Sequence, residues 1–191
     1  MDPLKLFEEW YKEERAVSGA ALPGACCLTT LGLDGFPNSR FVSLKEVAEG
    51  HFIITGPMDA RKGKEIAVNP KVALAFWWPA TQRQVRIQGT ATPVSPEAAA
   101  AYFAERDIAA RLVSVICEQG KPVADYDKML ADFHKALDAQ GDAVIARPAN
   151  WGGYAITPLR IELMLFSATR LHDRNDFEHK DGRWVHQKLQ P

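Results

Sequence analysis

Hydrophobic positions along this chain change period, and each change marks an element. Behind Asp2 and Pro3, the residues Leu4, Leu6, Phe7, Trp10 and Tyr11 recur at helical spacing. A capping aspartate with proline at the first helical position predicts a helix over 3–16. The period then falls to two. Strands are predicted over 25–30 and 38–45, joined by the turn Gly32-Leu33-Asp34-Gly35 as a β-hairpin. A third strand covers 51–55 and is ended by Gly56-Pro57. Asp59 is expected to cap a helix that Asn69-Pro70 terminates after Val68. Residues 71–78 and 82–93 form a second predicted hairpin around Pro79-Ala80-Thr81. Ser95-Pro96-Glu97 starts an alanine-rich helix to Glu105, and further helical segments are predicted over 107–118 and 123–139. The chain closes with strands expected over 152–157, 160–166, 170–177 and 183–189.

Short strands joined by hairpins, with helices clustered between them, predict an α+β chain, mainly β, folded as an antiparallel barrel with helices packed outside. No repeat, low-complexity tract or linker interrupts the 191 residues, so a single domain over 1–191 is expected.

Composition narrows the possible partners. Lysine and arginine total 23 against 24 aspartates and glutamates, a net charge of −1, so no global field draws the chain to nucleic acid or to an anionic membrane. Apolar runs such as Val72 to Trp78 fall far short of the roughly 18–20 residues of a membrane span, and no secretory leader precedes the first helix, which predicts a cytoplasmic protein. Cys26, Cys27 and Cys117 lack CxxC spacing and read as small core residues. The five histidines show no paired ligand spacing, so no metal is expected.

Three cationic stretches could carry chemistry. On a strand, Arg170, His172 and Arg174 share one face, an anion-binding and proton-handling row or else a solvated edge. The apolar Leu163, Leu165 and Phe166 upstream favour a partly buried strand, where neighbouring cations need an anionic partner. Arg61 and Lys62, with Lys64, open the helix after Asp59; cations there oppose the helix dipole, and a bound phosphate resolves the conflict, although an ordinary charged first turn also fits. Arg40 and Lys45 are five apart and point to opposite faces of an uninterrupted strand. Gln84, Arg86 and Gln88 form a polar face that is either solvent-exposed or a hydrogen-bonding edge for a heterocycle. Dinucleotide-binding, P-loop and hydrolase motifs are absent.

These blocks, together with Asp2-Pro3-Leu4, Arg83-Gln84-Val85, Trp151-Gly152-Gly153-Tyr154 and the stretch from Arg170 to Arg174, resemble the pyridoxamine (pyridoxine) 5'-phosphate oxidases in order and near-spacing over essentially the whole chain. The resemblance implies a split β-barrel homodimer that binds FMN at the subunit interface. It implies FMN contacts from Arg40, Val42, Ser43, Lys45, Ile54, Thr55, Arg61, Lys62, Gln84, Gln119 and Arg174. It assigns the substrate phosphate to Lys45, Tyr102 and Arg106, and the substrate ring to Arg170 and His172 as the catalytic pair. The implied reaction is FMN-dependent oxidation of pyridoxamine or pyridoxine 5'-phosphate to pyridoxal 5'-phosphate, with release of hydrogen peroxide.

Departures from the family pattern point to alternatives. Leu163 and Met164 stand where an aromatic pair is usual, Ala110 where a serine meets the substrate phosphate, and Gly120 where another hydroxyl is usual. The loop between Thr55 and Arg61 is one residue longer, and the basic-aromatic segment that closes over substrate is expected to be missing. A same-fold FMN oxidase or reductase acting on a different substrate, of phenazine type or otherwise, and a non-catalytic flavin-binding module therefore stand beside the first reading.

Overall fold

Strand and helix order follow the hydrophobic pattern closely. A computed structural model describes residues 1–19, 22, 24–141 and 143–191. Among them lie the helices α1 (Pro3–Val17), α2 (Arg61–Val68), α3 (Pro96–Ala104), α4 (Ile108–Ile116) and α5 (Tyr126–Ala139). The strands are β1 (Ala25–Leu31), β2 (Pro37–Ala48), β3 (His51–Pro57), β4 (Lys71–Trp78), β5 (Arg83–Pro93), β6 (Trp151–Leu165), β7 (Asp173–Lys180) and β8 (Arg183–Leu189). They hydrogen-bond in the order β3-β2-β1-β4-β5-β6-β7-β8, and β3 also pairs with β6. That second pairing closes six strands into an antiparallel barrel and leaves β7 and β8 as an extension. The hairpins β1–β2 and β4–β5 form as expected, with Leu28 opposite Arg40 and Leu74 opposite Ile87.

The chain groups into two compact units. One comprises Met1–Ile54, Glu65–Thr92 and Tyr154–Pro191, and the other Thr55–Lys64 and Pro93–Gly153. In the first, alternate side chains of each strand fill the barrel, including Cys26, Leu28, Leu74, Phe76, Val85 and Ile87. Helix α1 closes this core. Its Phe7 meets Phe52 edge-on at 4.9 Å and lies 5.2 Å from Phe76 and 5.4 Å from Trp78. The buried Glu14 of α1 accepts hydrogen bonds from the Thr81 backbone N–H (3.0 Å) and hydroxyl (2.8 Å), fixing the helix to the β4–β5 turn. Gly89 in β5 has no room for a side chain, because a Cβ there would lie 2.4 Å from the Thr157 carbonyl oxygen of β6. The second unit packs Phe103 edge-on against Trp151 at 5.0 Å.

Two expectations are corrected. The strands predicted over 152–157 and 160–166 are one strand, β6, with Pro158 buried within it. Proline fixes an extended-compatible φ and removes a single donor, so it need not end a strand. The strand predicted over 170–177 begins only at Asp173. Ser167 and Thr169 join hydroxyl to hydroxyl at 2.8 Å, Arg170 takes a left-handed φ of 67°, and its carbonyl accepts the His172 N–H at 2.9 Å. A turn of this kind is hydrogen-bonded through its own short polar side chains and competes with strand pairing. Arg170, His172 and Arg174 therefore do not form a row on one strand face.

Candidate functional site

In the barrel unit, two of the predicted cations, Arg40 and Arg174, are each met by an acid that lies in the core. Arg40 projects from β2, and its guanidinium donates to Glu65 Oε2 at 2.8 Å, to the Asn38 carbonyl at 3.0 Å and to the Thr30 hydroxyl. Glu65 is wholly buried and also accepts from the Thr30 hydroxyl at 2.5 Å and from Asn38 Nδ2 at 2.8 Å. The β2–β3 register shifts between Leu44 and Glu46, so the strand carrying Arg40 and Lys45 is interrupted at Lys45 and the simple opposite-face rule does not hold there. Val42 is half-buried and Ser43 exposed on β2, whereas Ile54 of β3 is fully buried.

The second acid is Glu162, on β6. Its Oε1 accepts from Arg174 Nε at 2.8 Å, and its Oε2 lies 3.4 Å from Arg86 Nη2 without a hydrogen bond. Hydrogen bonding to Glu162, opposed by burial, raises the Arg174 pKa above its ordinary value. The anionic partner that a buried cation requires is thus supplied by the chain itself. Beside it, Asp176 on β7 receives a two-point contact from Arg160, at 2.7 and 3.2 Å. Burial pushes the Asp176 carboxyl up, but hydrogen bonds from Arg160 and Gln187 outweigh it and hold the pKa below the ordinary value. A cavity of about 180 Å³ adjoins these strands, lined among others by Ala75, Arg86, Gln88, Arg160 and Glu162. Gln84 lies on β5 opposite Trp77. His172 stands against Phe166 at 4.7 Å, and its Nδ1 accepts the Ser167 N–H at 3.1 Å. A neutral His172 ring then carries its proton on Nε2.

In the second unit, the first turn of α2 holds Arg61 and Lys62 and no acid. Lys62 Nζ donates to Gln119 Oε1 at 2.6 Å, bringing together two residues far apart in sequence that carry the same expected role. Gly63 is needed for close approach, since a Cβ there would lie 1.9 Å from the Met58 carbonyl oxygen. Gly120 has φ +82, a conformation that a serine adopts only with strain, which gives this departure from the family pattern a local backbone reason. Arg106 lies 5.1 Å over the Trp151 ring and 5.8 Å over Phe103, and donates to the Ser114 hydroxyl at 2.6 Å. Burial lowers its pKa. Tyr102 lies on α3, and Thr55 belongs to the same unit.

Sequence reasoning did not single out Glu65, Glu162, Asp176 or Ser114. Glu162 had a signal, a lone acid between the apolar Ile161 and Leu163. Ser114 is likewise a lone polar residue between Val113 and Val115, whereas Glu65 follows a run of cations and Asp176 lies among polar neighbours, and the partners of both come from other elements or other strands.

Comparison with known proteins gives the same family twice. The family model described as pyridoxamine 5'-phosphate oxidase matches residues 13–138, and the pyridoxine 5'-phosphate oxidase C-terminal dimerisation region matches residues 151–191. A pyridoxine/pyridoxamine 5'-phosphate oxidase of Novosphingobium aromaticivorans is 41% identical over 192 residues, covering all of this chain and 94% of that protein. The protein of the same name from Bacteroides thetaiotaomicron is 38% identical over 191 residues, covering all of this chain and 89% of its own length. Among solved structures, PhzG from Burkholderia lata, in complex with tetrahydrophenazine-1-carboxylic acid, superposes with a TM-score of 0.91 at 25% identity, over all of this chain and 93% of that one. With full-length identity at this level and a barrel built in the same way, the chain belongs to the pyridoxamine 5'-phosphate oxidase family.

Proposed function

We propose that the chain is an FMN-dependent oxidase that converts pyridoxamine or pyridoxine 5'-phosphate to pyridoxal 5'-phosphate, working as a cytoplasmic homodimer with the whole chain as one FMN-binding domain. The observation that carries this reading is a pair of cationic centres, one in the first turn of α2 and one at Arg106, for a cofactor and a substrate that each bear a phosphate. The donor set fits FMN. The first turn of α2 carries Arg61 and Lys62 and no acidic residue, and backbone N–H groups at a helix start favour a dianion. When bound, FMN supplies the hydride-accepting ring and the route to dioxygen, with hydrogen peroxide as the second product.

The chain's own residues bind and orient. Arg40, Arg61 and Lys62 are assigned to the cofactor phosphate, and Val42, Ser43, Ile54, Thr55, Gln84, Gln119 and Arg174 to the rest of the cofactor. Lys45, Tyr102 and Arg106 hold the substrate phosphate. Arg170 and His172 hold the pyridine ring, with Nε2–H of His172 as a donor. The left-handed φ of Arg170 supports this assignment, because backbone strain persists where surrounding structure enforces it, often at ligand-binding positions.

Anaerobic mixing of the purified flavoprotein with pyridoxine 5'-phosphate tests the reading: the flavin absorbance is expected to bleach and to return on admitting air. A flavin that stays oxidised with either vitamer phosphate overturns it. One feature favours a second reading, that of a same-fold flavin enzyme with another substrate. Met164 is only slightly exposed where the family places an aromatic residue by the flavin, which alters the ring's environment. In that case a phenazine-type substrate bleaches the flavin and the vitamer phosphates do not.

A further inference from the structure

Arg106 is a half-buried cation with little to hold it. Among the described residues its guanidinium makes one hydrogen bond, to the Ser114 hydroxyl, and no carboxylate lies within ion-pair distance. Its other neighbours are the faces of Trp151 and Phe103, which stabilise the charge without fixing the direction of its N–H groups. Asp107, the adjacent acid, uses Oδ1 to cap α4 through the Ala110 N–H at 2.7 Å. Ser114 in turn donates to the Ala110 carbonyl at 3.0 Å, one helical turn back, so its remaining lone pairs are aimed by the helix and accept from Arg106 at 2.6 Å. A guanidinium has five donors, and one is used here. An arrangement that orients a half-buried cation and uses only one of its donors within the protein suits an oxyanion ligand.

We propose that Ser114 is a positioning residue that aims Arg106 at the substrate phosphate, and so sets the preference for phosphorylated over unphosphorylated substrate. This rests on the substrate class proposed above. The hydroxyl expected at position 110 is missing, and Ser114 supplies one a helical turn later, acting on the arginine. Without it Arg106 keeps its charge and its aromatic contacts but loses the one contact that selects its direction. The loss falls on phosphate affinity, on the scale of a single hydrogen bond, about threefold to tenfold.

The test titrates the FMN-loaded protein calorimetrically with 4-deoxypyridoxine 5'-phosphate and with 4-deoxypyridoxine, which lack the oxidisable group. Wild type is expected to prefer the phosphate ester. Ser114→Ala is expected to reduce that preference about threefold to tenfold, with FMN content, Tm and affinity for the unphosphorylated analogue unchanged. Ser114→Thr keeps the hydroxyl and restores the preference, whereas Ser114→Cys, of similar bulk but a poor acceptor, reproduces the loss. In an Arg106→Ala background, Ser114→Ala adds nothing. An undiminished preference in both Ser114→Ala and Ser114→Cys overturns the role of Ser114 alone. A wild type that does not distinguish the two analogues overturns the proposed substrate class and, with it, this role.

Discussion

Glu65 receives a guanidinium, a hydroxyl and an amide while wholly buried, so its carboxylate ties β1, β2 and α2 together through charge-assisted bonds. Glu65→Ala strands Arg40, Thr30 and Asn38 at once. The expected cost is about 2–4 kcal/mol in urea unfolding, toward the lower end of the usual range for a broken buried pair because Arg40 remains partly exposed. Glu65→Gln retains part of the network and is expected to cost less. Asp176 gives a pH signature of its own. Its pKa in the folded chain lies below the ordinary 3.8, so its contribution to stability is present above that value and is lost as pH falls through the folded pKa. Asp176→Asn is therefore expected to be less stable than wild type near neutrality, and the gap should close below about pH 4. Unfolding free energies across that interval check it; a gap independent of pH contradicts it.

At the level of elements, α2 joins two tasks, with cations in its first turn and Glu65 in its middle. The position of that turn depends on Gly63. Gly63→Ala drives a Cβ against the Met58 backbone, which has no flexible side-chain end to move aside, and is expected to shift the turn and release FMN. Flavin content after gel filtration is the measurement. Legibility in the sequence also divides by element. Hairpins with glycine- or proline-marked turns, and helices with Asp2 or Ser95 as caps, could be read because their signals are local. Pro158 misled because a proline's effect depends on whether a neighbouring strand needs its donor. Ser167 to His172 misled because alternating residue types cannot show that Ser167 and Thr169 close a turn on themselves. Of the candidate site, the cations could be read but not their partners. Arg40 with Glu65 and Arg174 with Glu162 are pairs made by tertiary structure, and one sequence carries no record of which acid meets which base.

For the whole molecule, the matched C-terminal dimerisation region carries Leu171 at 73% exposure, with Leu165 and Val185 also exposed. Apolar side chains displayed in such a segment fit a face covered by a second copy. Light scattering is expected to give twice the 21.2 kDa chain mass, and Leu171→Asp to shift the species toward the monomer. A monomeric wild type removes the homodimer. The clamp of Glu14 on Thr81 has a kinetic consequence. The two residues are 67 apart in sequence, so sealing the aromatic core with α1 requires closing a long loop onto a finished β4–β5 turn. Contacts of this kind are expected to form after the folding barrier. Phe7→Leu should then speed unfolding in stopped-flow experiments while leaving the refolding rate nearly unchanged. On that expectation, the helix that closes the core is the last element to arrive and the first to leave.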